Sequence, residues 1–147
     1  MKLGLIGTEL IGKPIAQKLI EANYNINIFN RTFSKTDSLI KLGAKSFTNF
    51  KEFIDNTNTI ILMLSNFDAI NEVLFDSKIS SFENIIIIQM STIAPSESIE
   101  LDQKIEKLSG EYFEAPVLGS INQILNGELI VLVGSTKQQF AKWEKLF

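Results

Sequence analysis

Short apolar runs recur along this sequence, and their spacing restricts the possible folds more than any other feature. The runs are rich in Ile, Leu and Val, and we predict strands at 2–6, 25–29, 59–64, 84–90 and 128–133. Several of them contain almost no polar residue, which is typical of strands that are covered on both faces. Such strands belong in the interior of a layered structure.

Longer segments with helically spaced apolar residues separate these runs. We predict helices at 10–22, 34–42, 49–56, 66–75, 95–108 and 136–147. Strands that alternate with helices are joined by right-handed crossovers, and these crossovers make the strands parallel. The sequence therefore predicts an α/β fold with a doubly wound, mainly parallel sheet in a three-layer αβα arrangement.

Composition limits both the size of the protein and its chemistry. A chain of 147 residues that is 45% hydrophobic can bury the core of a single domain. The sequence has no cysteine and no histidine, which excludes disulfides, thiolate metal sites, a cysteine nucleophile and a histidine base. We therefore predict no metal site, and any acid–base chemistry within the chain must use Lys, Tyr, Asp or Glu.

Charge and hydropathy bear on the partners and the compartment. The formal net charge is −3 and the isoelectric point is near 5.0, which argues against nucleic acid or an anionic membrane as a partner. No apolar stretch approaches the roughly 18 residues that a membrane-spanning helix needs. The N-terminal residues also lack the basic region and cleavage site of a secretory signal. We expect a cytoplasmic protein.

The segment GTELIGKP, residues 7–14, follows the first predicted strand and begins the first predicted helix, where backbone amides commonly bind phosphate. One interpretation is a triphosphate-binding loop, but Pro14 stands where that loop needs a hydroxyl for Mg²⁺. The other is a dinucleotide-binding turn, in which Gly7 makes the tight turn and Gly12 lets the helix approach the strand. We favour the dinucleotide interpretation and hence a Rossmann-type fold.

The second predicted strand ends in Asn30, Arg31 and Thr32, where dinucleotide-binding folds recognise the adenosine ribose. An acidic residue there would bind a ribose 2′-hydroxyl, whereas Arg31 offers positive charge and donors to a 2′-phosphate. Lys35 adds a second positive charge nearby. We predict NADP as the cofactor in preference to NAD. The alternative is that Arg31 is a solvated loop residue.

Glu9 replaces the middle glycine of the dinucleotide pattern. Two like charges about 4 Å apart repel by about 1 kcal/mol in water and by about 4 kcal/mol at an effective dielectric constant of about 20. If Glu9 faces the pyrophosphate, cofactor affinity falls by about tenfold to several hundredfold. If it points to solvent, the loss is small. Both orientations remain open at this stage.

Longer segments resemble the β-hydroxyacid dehydrogenases, which include 3-hydroxyisobutyrate dehydrogenase and tartronate semialdehyde reductase, with 6-phosphogluconate dehydrogenase and the imine reductases as more distant relatives. The resemblance covers nearly the whole chain, and its segments are 4–19, 29–45, 60–75, 90–98 and 112–135. It implies an NAD(P)-binding domain of an oxidoreductase. Such an enzyme transfers hydride between NADP(H) and a small carboxylate-bearing aldehyde or hydroxy acid, or acts on an imine in an imine reductase-like variant.

The resemblance also implies roles for individual residues. The implied cofactor-binding residues are Gly7, Thr8, Leu10, Ile11 and Gly12 for the pyrophosphate, Asn30, Arg31, Thr32 and Lys35 for the 2′-phosphate, and Met63, Leu64, Ser65 and Thr92 along the path to the nicotinamide. The implied substrate-binding residues are Ser91, Leu118, Gly119 and Ser120. Leu118 stands where the family has Ser, which favours a less polar substrate, unless Leu118 simply packs in the core.

The family's catalytic Lys lies in a helical domain that follows the dinucleotide-binding domain. We therefore assign no catalytic residue to this chain, and we expect residues 1–147 to be a dinucleotide-binding domain that lacks the helical catalytic and dimerisation domain. We expect such a domain to be inactive alone and able to self-associate through its exposed docking face. The alternative is a non-catalytic interaction module whose cofactor site has decayed, as Glu9 and Leu118 would indicate.

Overall fold

The centre of the protein is a six-stranded parallel sheet in a computed structural model that describes residues 1–77 and 79–146. Its strands are β1 Leu3–Ile6, β2 Ile26–Phe29, β3 Lys45–Phe47, β4 Thr59–Leu62, β5 Ile86–Gln89 and β6 Glu111–Glu114. Their order in the sheet is β3-β2-β1-β4-β5-β6. The chain therefore moves outward from β1 in one direction and then from β4 in the other. A crevice forms at the carboxyl ends of the strands where the order reverses.

Helices follow the strands and cover both faces of the sheet. They are α1 Gly12–Glu21, α2 Asp37–Ile40, α3 Phe50–Asp55, α4 Phe67–Phe75, α5 Pro95–Lys107, α6 Ile121–Asn126 and α7 Lys137–Trp143. Single 3-10 turns precede α2 at Phe33–Thr36 and follow α7 at Glu144–Leu146. Two short strands, β7 Val117–Leu118 and β8 Ile130–Val131, pair antiparallel outside the main sheet.

Two apolar clusters lie on the two faces of the sheet. Successive residues of β4 alternate between them, since Ile61 packs in the cluster that includes Ala16 of α1, whereas Ile60 and Leu62 pack in the cluster that includes Phe53 of α3. Each Ile or Leu that is fully buried in this way stabilises the fold by about 1.5–3 kcal/mol. The α/β fold and the three-layer architecture predicted from the sequence are thus confirmed.

Asparagine side chains set the starts of two helices. The side chain of Asn66 accepts a hydrogen bond from the amide of Ala69 at 2.9 Å, so α4 begins directly after the carboxyl end of β4. Asn49 caps α3 in the same way through the amide of Glu52, at 3.1 Å. Caps of this kind satisfy amides that have no partner within the helix.

The structure differs from the sequence predictions at the edges of the sheet. We did not predict β3 or β6, because edge strands with polar residues such as Lys45, Glu111 and Glu114 lack a continuous apolar run. The predicted helix 34–42 is divided between a 3-10 turn and α2. We also did not predict α6.

The predicted strand 128–133 is mostly wrong. Only Ile130 and Val131 form a strand, and they pair with β7 rather than with the parallel sheet. Ile130 and Leu132 are exposed, so this apolar run does not indicate burial on both faces. The predicted final helix ends at Trp143, and Phe147 lies outside the described residues.

Candidate functional site

The turn between β1 and α1 is packed so tightly that two of its positions require glycine. Gly7 has a φ of 95°, and a β-carbon there would lie 2.1 Å from the carbonyl oxygen of Met63. A β-carbon on Gly12 would lie 1.8 Å from the carbonyl oxygen of Gly7. The turn therefore lies directly against the end of β4 and the start of α1. On its outer side, Glu9, Leu10 and Ile11 line a cleft.

Asn30 ties the end of β2 to this turn. Its side-chain amide donates a hydrogen bond to the hydroxyl of Thr8, which is buried. Its side-chain carbonyl accepts a hydrogen bond from the amide of Thr32 at 2.9 Å. Asn30 thus fixes the two loops relative to each other, which keeps Arg31 and Thr32 beside the glycine turn.

Arg31 and Lys35 each form an ion pair with a glutamate from another part of the chain. The Nη1 atom of Arg31 lies 2.5 Å from a carboxylate oxygen of Glu72 in α4. Lys35 Nζ contacts a carboxylate oxygen of Glu9, and all four side chains are largely exposed. A hydrogen bond and the positive charge of Lys35 lower the pKa of Glu9, and the charge of Arg31 lowers it further. The carboxylate of Glu9 is therefore directed toward the residues after β2.

A cleft of ≈ 290 Å³ lies at the carboxyl ends of β1, β2 and β4. Most of the predicted cofactor residues line it, namely Gly7, Leu10, Ile11, Asn30, Arg31, Thr32, Lys35, Met63, Leu64 and Ser65. Ile6, Glu9, Phe29, Ala69 and Val73 complete the lining. The cleft thus combines a glycine turn, two cations and an apolar wall. These features suit the pyrophosphate, phosphate and ring groups of a dinucleotide.

Sequence reasoning missed the contribution of α4 to this cleft. Ala69, Glu72 and Val73 belong to a helix whose start is fixed by the Asn66 cap. The cap is visible in the sequence as an Asn followed by an apolar helical pattern. That pattern does not indicate which side chains of the helix turn toward β2.

The remaining predicted residues lie outside the cleft lining. Thr8 is buried beneath the turn. Ser91 is 2% exposed, and its hydroxyl accepts a hydrogen bond from the amide of Leu64 at 2.9 Å. Ser91 therefore fixes the segment that follows β4, and the next residue, Thr92, is exposed.

Leu118 ends β7, and Gly119 and Ser120 connect this strand to α6. Leu118 is 62% exposed, so the alternative in which it packs in the core is wrong. Ser120 is the N-cap residue of α6, and both its amide and its hydroxyl donate hydrogen bonds to the side-chain oxygen of Gln123 in the first turn of this helix. An anion at this position would have to displace Gln123 to use either donor.

Two general properties bear on function. Within residues 1–77 and 79–146, no three side chains of His, Cys, Asp or Glu come together as a metal site would require. The described helices include none with the length and apolar character to cross a bilayer.

Residues 2–147 match the family model described as the NAD binding domain of 6-phosphogluconate dehydrogenase. The chain belongs to this family. The predicted family and fold are confirmed.

Two curated relatives are reductases. The chain is 29% identical to 2-hydroxy-3-oxopropionate reductase of Escherichia coli (strain K12), over 100% of this chain and 51% of the relative. It is 32% identical to glyoxylate/succinic semialdehyde reductase 1 of Arabidopsis thaliana, over 95% of this chain and 50% of the relative. The chain thus spans about half the length of these relatives.

Solved structures share the same fold. A reductive aminase from Aspergillus terreus, in complex with NADPH and ethyl-5-oxohexanoate, superposes with a TM-score of 0.90 at 20% identity. The match covers 99% of this chain and 51% of the aminase chain. At this identity the likeness concerns the fold.

Proposed function

We propose that this chain is the NADP(H)-binding domain of a reductase of the 3-hydroxyacid dehydrogenase and semialdehyde reductase type. One observation carries the proposal: the glycine turn and the two cations Arg31 and Lys35 line the same cleft. The substrate is a small aldehyde or hydroxy acid that bears a carboxylate. The names of the two curated relatives, both reductases of such aldehydes, support this substrate class.

The described residues fit a dinucleotide. Gly7 and Gly12 have no room for β-carbons, so both positions need glycine to form this tight turn. The backbone amides of Thr8 to Ile11 in the turn would hold the pyrophosphate. Arg31 would bind the 2′-phosphate with its planar group of donors, and Lys35 would add charge. Met63, Leu64 and Ser65 would line the path toward the nicotinamide.

Glu9 does not by itself exclude this cofactor. Its carboxylate is paired with Lys35, which neutralises much of the charge that would repel a pyrophosphate. The pairing also has a cost, since Lys35 must leave Glu9 before it can bind a phosphate. We therefore expect a functional but weakened site, in contrast to the decayed site of the alternative hypothesis.

The bound nicotinamide supplies or accepts the hydride, and this chain orients it. We propose that Thr92 lies beside the nicotinamide and that Ser91, Leu118, Gly119 and Ser120 contribute to the substrate side of the site. A lysine from a helical domain outside residues 1–147 would protonate the developing alkoxide. Residues 1–147 are then inactive alone.

Two alternatives differ in what the domain does. The exposed Leu118 favours a less polar substrate, as in an imine reductase. A non-catalytic interaction module, or self-association of the domain, is favoured by the exposed apolar side chains Leu118, Ile130 and Leu132 around β7 and β8. The two reductase hypotheses require the domain to bind the cofactor, whereas the interaction-module hypothesis does not.

The test is a titration of the chain with NADPH and NADH, followed by nucleotide fluorescence, for the wild type, Arg31→Ala and Lys51→Ala. Lys51 is the matched control, because it is also an exposed cation in an ion pair, with Asp55 at 2.8 Å on α3. We expect the wild type to bind NADPH more tightly than NADH. We expect Arg31→Ala to lower the affinity for NADPH by about 10- to 100-fold, because it removes hydrogen bonds between charged groups. Absence of NADPH binding by the wild type would overturn the proposal.

A further inference from the structure

The two cations that line the cleft, Arg31 and Lys35, each form an ion pair with a carboxylate. Arg31 is paired with Glu72 and Lys35 with Glu9, and the two glutamates come from different elements, α4 and the β1–α1 turn. The four charged groups sum to zero. A site that is specialised for a 2′-phosphate would present a net positive charge to this dianionic group, so the pairing reduces the attraction that Arg31 and Lys35 offer.

Glu72 is well placed to compete with a ligand for Arg31. Its neighbours Ala69 and Val73 line the cleft, and so does Arg31 itself, which puts the Glu72 carboxylate at the cleft rim. The carboxylate takes a hydrogen bond from Nη1, one of the terminal nitrogens with which a guanidinium binds phosphate oxygens. A 2′-phosphate must therefore displace Glu72 or share Arg31 with it at the cost of repulsion.

A nucleotide without the 2′-phosphate meets no such competition. It leaves the pair of Arg31 and Glu72 intact. The ion pair of Arg31 and Glu72 thus lowers the affinity for nucleotides that carry a 2′-phosphate. It leaves the affinity for nucleotides without this group nearly unchanged.

We propose that Glu72 is a specificity-determining residue, which acts through Arg31 to reduce the preference of this domain for nucleotides that carry a 2′-phosphate. Glu72 is a positioning residue in this role, since it acts through its ion pair with Arg31. The inference rests on the proposed function, in which Arg31 binds the 2′-phosphate. Glu9 acts in the same direction on Lys35, but its place in the glycine turn gives it a second effect on the pyrophosphate.

The test uses calorimetric titration of the chain with adenosine 2′,5′-bisphosphate and with 5′-AMP, which differ only in the 2′-phosphate. The variants are Glu72→Gln, Arg31→Ala and the double variant. Asp76→Asn is the control, because it removes the same charge from an exposed side chain of the same helix, at the C-cap of α4. Thermal unfolding of each variant checks that it is folded.

We expect Glu72→Gln to bind the bisphosphate about threefold to tenfold more tightly, as the loss of an exposed ion pair and of local repulsion predicts. Binding of 5′-AMP should stay within about 1.5-fold, and Asp76→Asn should leave both ligands unchanged. In the Arg31→Ala background the gain should vanish. This last result separates an action through Arg31 from a general effect of charge.

Failures of the inference and of the proposed function are distinguishable. An unchanged ratio of the two affinities in Glu72→Gln would overturn the inference, as would a gain that persists without Arg31. If the wild type still prefers the bisphosphate and Arg31→Ala removes that preference, the proposed function stands. If neither the wild type nor Glu72→Gln prefers the bisphosphate, or if neither ligand binds, both are overturned.

Discussion

The carbonyl oxygen of Gly7 lies 1.8 Å from the position that a β-carbon on Gly12 would take. Because the nearby atoms are backbone, they cannot move aside as a flexible side chain would. We expect Gly12→Ala to lower the free energy of unfolding by about 2–3 kcal/mol, as overpacking of a tight contact does. Gly12→Ala should also lower the affinity for NADPH, since the turn must move to make room for the β-carbon. Urea denaturation and nucleotide titration measure the two effects.

Gly43→Ala is the control for this prediction. Gly43 also has a positive φ, of 105°, but a β-carbon there would have no atom within 4 Å. We expect a loss of about 1 kcal/mol from backbone strain alone, with NADPH binding unchanged. If Gly12→Ala is no more harmful than Gly43→Ala, the contact with Gly7 does not restrict the turn.

Gln89 is fully buried at the end of β5, and both polar atoms of its side chain lack a hydrogen-bond partner within the described residues. A buried amide without partners costs about 1–3 kcal/mol. We expect Gln89→Met, which has similar volume, to raise the free energy of unfolding by about 1–2 kcal/mol in urea denaturation. Gln103→Met on the exposed side of α5 should change it by less than about 0.5 kcal/mol. A marked loss in Gln89→Met would mean that the amide is hydrogen-bonded in solution.

Glu9 gives the ion pair with Lys35 a defined pH dependence. Its pKa is lowered from its ordinary value of 4.5, first by the hydrogen bond from Lys35 and then by the charges of Lys35 and Arg31. A lowered pKa means that the pair contributes stability above the unfolded-state pKa and loses it as the pH falls through the folded-state pKa. NMR titration should show the carboxyl of Glu9 below 4.5, and Lys35→Met should move it back toward 4.5. An unchanged titration in Lys35→Met would contradict the pairing.

The interior of the sheet could be predicted from the sequence because its strands are buried on both faces. Burial of every residue in β1 and β4 requires the continuous apolar runs from which we predicted them. The edge strand β3 is exposed at Lys45 and gives no such signal. The run at 128–133 misled us because only its alternate residues Leu129, Val131 and Val133 pack against the core. Ile130 and Leu132 face outward, which a continuous apolar pattern does not reveal.

The candidate site could be predicted only as far as local sequence determines it. Gly7 and Gly12 are recognisable because the turn itself requires them. The pairing of Arg31 with Glu72 depends on how α4 lies beside the end of β2, and no local pattern specifies that arrangement. The orientation of Glu9 was likewise open in the sequence, and the position of Lys35 decides it.

Tyr112 makes the stability of the fold sensitive to alkaline pH. Burial raises its pKa to about 12, although a hydrogen bond with Ser98, at 2.8 Å between the two hydroxyl oxygens, lowers the pKa in part. A raised pKa means that the neutral hydroxyl contributes stability below the unfolded-state value of about 10, and this stability is lost as the pH rises toward 12. We expect the melting temperature of the wild type to fall between pH 10 and 12 more steeply than that of Tyr112→Phe. Equal slopes for the two proteins would show that Tyr112 ionises as freely in the folded state as in the unfolded chain.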